Sequence, residues 1–362
     1  MQNKSSREQP SREQPCFFGC FLGRFRKHMN REQARKIISE ISKVIAFALA
    51  FALILCLVSF KAFSGDNTAK YSGRLADAYL FVNDPEQTTD VMFLGNSDAY
   101  SGFVPTRLWE KYGITSAVSA SPHQTVLECK NALQTMLKTQ SPKVVVLEID
   151  MLYDGDDDST ADDGNKLSHF FNNTVNPEFF ENDVTDRFTL FTYHNSWKYL
   201  DKDRAARYSH GYKYISTVYE LDPVEYMTDT SEVKMPSKSN LNDLDDFVSF
   251  CNNNGISLVF AGVNSLISWN MAKHNAISKI ADSYGVDFID FNLMYDELCI
   301  DMATAFRDNG YHVSYDTALK ITDYMGDFFN KNFEFPNRTE DSNCAEYWNS
   351  ECQSFKSENS IE

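Results

Sequence analysis

The sequence predicts an α/β protein, an open parallel sheet covered by helices on both faces, preceded by one apolar span. Three observations carry this. Short apolar runs alternate with amphipathic helical stretches along most of the chain. Two of the runs, "SPKVVVLEID" and "NGISLVFAGV", read as buried parallel strands entered from a turn. Val44 to Phe60, "VIAFALAFALILCLVSF", contains no charge and no proline.

That apolar stretch is at the lower limit of a membrane-spanning helix, roughly 17 residues, and Ala62 and Phe63 extend it past Lys61. Residues 1–43 hold ten Lys/Arg against four acids, a surplus of six positive charges, so the rest of the chain carries about −23 of a total of −17. Basic residues before the span and acidic bulk after it place the N-terminus in the cytoplasm. A cleaved signal peptide is the rival reading, but the charged region is long and "KAFSG" is a weak cleavage site. The tandem "SREQPSREQP" reads as a disordered start, and Met29 is an alternative initiator. The expected organisation is a basic cytoplasmic tail (1–43), a transmembrane signal anchor (44–63), an extracellular domain (64–336, with an insertion at 151–238) and a polar, mobile C-terminal tail (337–362). With 43% hydrophobic and 23% charged residues the chain has the composition of an ordinary globular protein. Its acidity argues against nucleic acid as a partner, since phosphate backbones need a basic surface.

The strands expected in order are Asp90–Leu94, Thr115–Ser119, Lys143–Ile149, Ser257–Gly262 and Val286–Asp290. The helices expected between and after them are Thr106–Tyr112, Thr125–Lys138, Leu241–Asn254, Met271–Tyr284 and Tyr315–Asn330. The insertion opens with "DGDDDSTADDG". Asp154, Asp156 and Asp158 alternate as in a calcium loop, but Ser159 stands where that loop needs Gly and Asn165 where it needs Glu. A solvated acidic loop is the expectation, and no metal is predicted. None of the eight cysteines has metal-ligand spacing. Cys129, Cys251 and Cys299 sit in apolar contexts as core residues do. Cys344 and Cys352, in "CAEYWNSEC", are near enough in a polar tail for a disulfide of the kind exported proteins carry, or are simply two thiols.

Two stretches carry candidate chemistry. In "DVMFLGNSDAY" an apolar strand ends in Gly95-Asn96-Ser97, which puts Ser97 at the carboxyl edge of the sheet, where open α/β folds bind ligands. Gly95 is read as the residue that permits a sharp turn there. In "FRDNGYHVSYDTALKITDY", Asp308 and His312 share one short loop, with Gly310 between them and Ser314 capping the next helix. The apolar face of that helix reads as Ala318, Ile321, Met325 and Phe328. A serine hydroxyl is a weak nucleophile until an imidazole takes its proton, and an acid must hold that imidazole in the right tautomer. An Asp and a His on one loop, facing a Ser from another strand end, meet that need. The bland alternative is that Ser97 merely begins a helix.

"FLGNS" and the Asp-x-Gly-x-His loop, in this order and spacing, resemble the SGNH or GDSL serine hydrolases, and more closely their membrane-anchored extracellular branch in Gram-positive bacteria. The resemblance runs from "DVMFLGNSDAYSGFVPTRLWEKYGI" through "YHNSW" at Tyr193–Trp197 to the last helix. It implies a flavodoxin-like three-layer α/β/α sandwich, with Ser97 as nucleophile, His312 as base and Asp308 as its orienting acid. It also implies oxyanion donors at the N–H groups of Ser97 and Ala120, the latter where the family has Gly, with Gln124 retained beside it as a substrate contact. Glu148 and Asp150 replace the family's next Asn, and an ionised carboxylate cannot donate a hydrogen bond; Asn264 is the expected substitute. Ser314 and Thr317 replace the Asn and Gly that commonly follow the His. Tyr100, His194 and Trp197 are expected to wall the pocket or to pin the insertion to the core. His123 is read as a surface residue with a substrate contact as the alternative. The implied function is a membrane-tethered, cell-surface esterase or O-acyltransferase acting on acyl groups of an envelope polysaccharide or polyol polymer, needing no cofactor. A non-catalytic polysaccharide-binding or assembly protein of the same fold is the alternative.

Overall fold

The computed structural model describes residues 31–62, 75, 77–154 and 209–361. The chain divides into two compact units, Met1–Phe60 and Lys61–Glu362. In the first, the described residues form one helix, α1 (Arg31–Ala62), whose part Arg31–Leu55 is long and apolar enough to cross a membrane, with a mean hydropathy of 2.1 over its apolar window. The helix begins well before the expected span, so the basic residues from Arg31 onward continue the same helix.

The second unit is built on five strands: β1 (Val91–Gly95), β2 (Ser116–Ala120), β3 (Val144–Glu148), β4 (Ser257–Gly262) and β5 (Asp287–Asp290). All neighbours pair parallel, in the order β2-β1-β3-β4-β5, which is the flavodoxin-like order. Each strand lies within one or two residues of its sequence-predicted limits. The helices are α2 (Ser97–Gly102), α3 (Pro105–Tyr112), α4 (Val126–Met136), α5 (Lys238–Asn253), α6 (Met271–Tyr284), α7 (Tyr315–Asn332) and α8 (Ser342–Asn359).

Alternation along the strands divides the core in two. Met92, Leu94, Val145, Leu147 and Phe260 face α4, α5 and α6 through Leu133, Phe247 and Ile277. Val91, Phe93, Val146, Val259 and Ala261 face α2, α3 and α7 through Ala99, Leu108, Ile321 and Met325. Successive side chains of a strand point to opposite faces, so a run of apolar residues supplies both layers at once. The result is a three-layer α/β/α sandwich. On α7 the buried positions are Thr317, Ala318, Ile321, Thr322, Met325, Gly326 and Phe329. Phe329 is buried in the place expected for Phe328, with its ring 6.1 Å from that of Phe93.

The C-terminal segment differs from expectation. Residues beyond 336 form α8, whose Cys344, Trp348, Cys352 and Phe355 repeat every three or four residues and are buried on one side. Trp348 stacks on His210 at 3.9 Å between ring centroids and on Trp109 at 5.8 Å. A tail with this stripe gains more by docking than by remaining in solvent. Cys344 and Cys352 are free thiols. They lie eight residues apart on one helix, about 12 Å along its axis, beyond the roughly 7 Å limit for bridging Cα atoms.

Of the insertion, residues 209–237 are extended, without regular helix. Gly211 lies against the edge of β2, at φ +89°, where a Cβ would fall 1.9 Å from the Val118 carbonyl oxygen. His194, Trp197 and the remainder of the acidic loop beyond Asp154 lie outside the described residues.

Candidate active site

The sheet order reverses between β1 and β3, and the carboxyl edge at such a switch point is where these folds hold ligands. Ser97 stands there as the first residue of α2. Gly95 is needed for close approach rather than for an unusual dihedral: a Cβ would lie 2.7 Å from the Cβ of Glu148 and 2.8 Å from that of Ala99. Asn96 caps α2, its Oδ1 accepting the Asp98 N–H at 2.9 Å. Its Nδ2 donates to Asp154 at 3.2 Å, a bond that an aspartate at this position could not make.

His312 arrives at the same edge on a loop fixed by its own backbone. Phe306 and Val313 pair antiparallel across it, and the Arg307 N–H donates to the His312 carbonyl at 3.0 Å. Gly310 takes φ +91°, as the tight conformation requires, and its carbonyl accepts the Leu266 N–H at 2.9 Å. Within the loop, Asp308 Oδ1 accepts the N–H groups of Tyr311 and His312, both at 2.9 Å. Asp308 Oδ2 meets His312 Nδ1 at 2.5 Å. Burial pushes Asp308 up, but the bonds from the His312 ring and from the two N–H groups outweigh it and hold the carboxyl below its ordinary range. Burial lowers His312; Asp308 opposes this, and the charges of Arg307 and Lys213 add to it. The imidazole is thus favoured in its neutral form, and its Nε2 has no hydrogen-bond partner among the described residues.

Tyr100 joins the two halves of the site. Its ring stacks on that of His312 with centroids 6.3 Å apart, and its phenol lies close enough to the Ser97 hydroxyl to feel its hydrogen bond. Ser97 is half-buried, and no hydrogen bond joins it to His312 among the described residues. Ala120 closes β2 directly opposite Gly95, so its backbone shares the same edge.

Two predicted residues have their side chains fully buried. Gln124 is fully buried, with Nε2 donating to the Ser119 carbonyl at 3.1 Å and to Cys129 Sγ at 3.3 Å. Asn264 is fully buried too, its Nδ2 held by the Phe291 carbonyl at 2.7 Å. Gln124 ties the loop after β2 back to that strand, and Asn264 ties the end of β4 to the turn that follows β5. His123 is exposed, at φ +52°, with Nδ1 3.7 Å from Asp154.

Sequence reasoning named Glu148 and Asp150 but not Asp98, nor that the three acids gather behind Ser97. Asp98 is buried and raised well above the carboxylate range, by burial first and then by Asp150, Asp154 and Asp308. Glu148 is raised by burial and then by Asp98 and Asp150. Both therefore favour the protonated form. Asp150 is the member of this group with a cation: Lys273 Nζ lies 2.9 Å from it. Among the described residues, no group of His, Cys, Asp and Glu is arranged to hold a metal ion.

The fold and site together define an open parallel α/β protein with a serine and a His–Asp pair at one sheet edge. No protein-family model matches the chain, and no curated protein matches it. Solved structures to which it is similar include a putative acylhydrolase from Bacteroides fragilis, 12% identical, covering 71% of this chain and 95% of that one, with a TM-score of 0.35. A psychrotrophic esterase from Pseudoalteromonas sp., inhibited by monoethylphosphonate, is 11% identical over 67% of this chain and 97% of its own, TM-score 0.35. A GDSL-like lipase from Bacteroides thetaiotaomicron is 11% identical over 76% and 98%, TM-score 0.34.

Proposed function

We propose that the chain is a membrane-tethered serine esterase or O-acyltransferase of SGNH type, working outside the cell on acyl groups of an envelope glycan or a teichoic-acid-like polyol polymer. The observation that carries this reading is the His312–Asp308 pair. Nδ1 is engaged by the acid and Nε2 has no partner among the described residues, beside the tyrosine that also touches Ser97. In the reaction, His312 Nε2 takes the proton of Ser97 Oγ as Oγ bonds to the acyl carbon. The carbonyl electron pair moves to oxygen, and the N–H groups of Ser97 and Ala120 stabilise the charge. The oxyanion collapses, the C–O bond to the leaving alcohol breaks, and His312 returns the proton to that alcohol. Water or a sugar or polyol hydroxyl then repeats the sequence on the acyl-enzyme. The basic N-terminus and the apolar helix α1 support an anchor with the larger unit outside.

One observation favours a second reading, a non-catalytic polysaccharide-binding protein: Ser97 and His312 are not hydrogen-bonded to each other. In unliganded enzymes that bond is often long and tightens with substrate. Labelling of the detergent-solubilised full chain with a fluorophosphonate separates the two readings. Wild type that labels, with Ser97→Ala and His312→Ala unlabelled, supports the enzyme; folded wild type that does not label supports the binding protein.

A further inference from the structure

Next to His312 lie two cations that acyl transfer as described does not use. Arg307 is only 6% exposed, and a single guanidinium bond is made, from Nη1 to the Lys213 carbonyl at 2.6 Å. The remaining guanidinium N–H groups have no partner among the described residues. The contrast with the other described arginines of this unit is sharp. Arg107 grips Asp323 with two nitrogens, at 2.7 and 2.8 Å, and Arg338 grips Asp90, with Nη2 at 2.8 Å. The other nitrogens of Arg307 are not among the polar atoms sealed from solvent without a partner, so a ligand can reach them.

Tyr100 organises this corner. Arg307 Cζ lies 5.8 Å and Lys213 Nζ 5.2 Å from the centroid of its ring, and the Lys213 N–H donates to the Tyr100 carbonyl at 2.8 Å. The same ring stacks on His312. Two positive charges and the imidazole are thus gathered around one side chain. The acids within reach do not cancel them. Asp308 spends both oxygens on its own loop. Asp98 makes no ion pair with Arg307, and its burial favours the neutral acid.

We propose that Arg307 and Lys213 form an oxyanion-binding subsite, and that the substrate carries a phosphate or carboxylate group beside the ester that Ser97 attacks. The planar guanidinium fork matches either group with paired hydrogen bonds, and the lysine adds a mobile charge at the rim. The subsite rests on the acyl-transfer reading only for the position of the ester; anion binding itself needs no turnover.

The test is calorimetric titration of the full chain, in a non-ionic detergent, with glycerol 1-phosphate, glucuronate and uncharged glycerol. At least one anion binds, glycerol does not, and added salt weakens the binding. The anion that binds names the source: phosphate for a phosphopolyol polymer, carboxylate for a uronic-acid glycan. Arg307→Gln weakens it at least about tenfold, as expected for a hydrogen bond to a charged group. Lys213→Gln weakens it about threefold, and Arg307→Lys falls between. Lys213 is exposed and its substitution leaves the core intact, so that variant and the salt dependence decide the matter even where Arg307→Gln fails to fold. Absence of anion binding, equal binding of glycerol, or unchanged binding in Lys213→Gln and in a folded Arg307→Gln overturns the subsite. Fluorophosphonate labelling of the same samples separates the two ideas. Labelling without anion binding defeats the subsite alone, and anion binding without labelling defeats the esterase alone.

Discussion

Asp308 holds His312 at two points: one carboxylate oxygen accepts the His312 backbone N–H at 2.9 Å, and the other meets its ring Nδ1 at 2.5 Å. The carboxylate thereby fixes both the backbone and the tautomer of the imidazole. Asp308→Asn keeps the shape, but its amide Nδ2 presents a donor where the ring needs an acceptor, and it favours the tautomer with Nε2 protonated. The expected result is a fall in kcat on an aryl ester of about 10³–10⁴, with far-ultraviolet circular dichroism unchanged. Activity within tenfold of wild type would mean that Asp308 does not orient the base.

Lys213 offers a probe of the same imidazole from outside the core. Its charge is one of the influences lowering His312, after burial and alongside Arg307. Catalysis needs the neutral ring, so the acid limb of kcat/KM rises with pH through a midpoint below the ordinary value of about 6.5. Removing a neighbouring positive charge makes protonation easier. Lys213→Gln is therefore expected to move the limb to higher pH, read from a profile between pH 4 and 8. A shift to lower pH would contradict the arrangement around Tyr100.

The buried acids behind Ser97 make a prediction about stability. Unfolded, Glu148 ionises near its ordinary value of about 4.3; folded, burial and Asp98 hold its proton to higher pH. Its contribution is thus fully present below the unfolded pKa and is lost as pH rises through the folded one. Glu148→Gln keeps an oxygen to accept the Asp150 N–H, bonded at 3.1 Å in the native protein, and cannot ionise. The variant should melt higher than wild type, with a larger gain at pH 8 than at pH 4. An equal or smaller gain at pH 8 would show that folding does not raise the Glu148 pKa above its unfolded value.

How much of this was legible depended on the range over which each feature is specified. β1 and β3 were found within one residue because every position in them is buried, and their apolar runs are a local signal; β4 and β5, exposed only at their first residues, carry the same signal over their inner ends. The Asp308–His312 loop was legible for the same reason, since its acid, glycine and histidine lie within five residues. That Asn264 and Gln124 turn inward to carbonyls was not legible, because sequence locates a side chain at a strand end without giving its direction. The positions of Lys213 and of the acids beside Asp98 depend on contacts between distant segments. Arg307 stands directly before Asp308, yet nothing local tells that its guanidinium lacks a carboxylate. The docked α8 was readable in principle from the spacing of Cys344, Trp348, Cys352 and Phe355, but its charged residues masked the stripe.

The docking of α8 can be measured. Trp348 is almost fully buried between His210 and Trp109, and the Trp109 indole N–H donates to Asn349 at 2.9 Å. Trp348→Ala removes a large buried side chain that the surroundings cannot refill, a loss of about 3–5 kcal/mol. Unfolding in urea should show a lower midpoint, and residues 342–359 should become the first segment cut by protease. A midpoint unchanged from wild type would mean that the helix adds nothing to the stability of the sandwich.

Gly95→Ala tests whether close approach is what the turn before Ser97 requires. The added methyl would lie 2.7 Å from Glu148 Cβ and 2.8 Å from Ala99 Cβ, and both of those atoms are tied to backbone, on β3 and α2. Neither can swing aside as a long side chain would, so β1 and α2 must separate. Overpacking of this kind costs about 1–3 kcal/mol, and it displaces Ser97, two residues further on. Both the melting temperature and the rate of fluorophosphonate labelling should fall. Adding Ala99→Gly removes one of the two collisions and should restore part of each loss, which a general destabilisation of the strand would not allow. A second substitution that lowers stability further instead would place the requirement for glycine in the backbone conformation and not in the space beside Glu148.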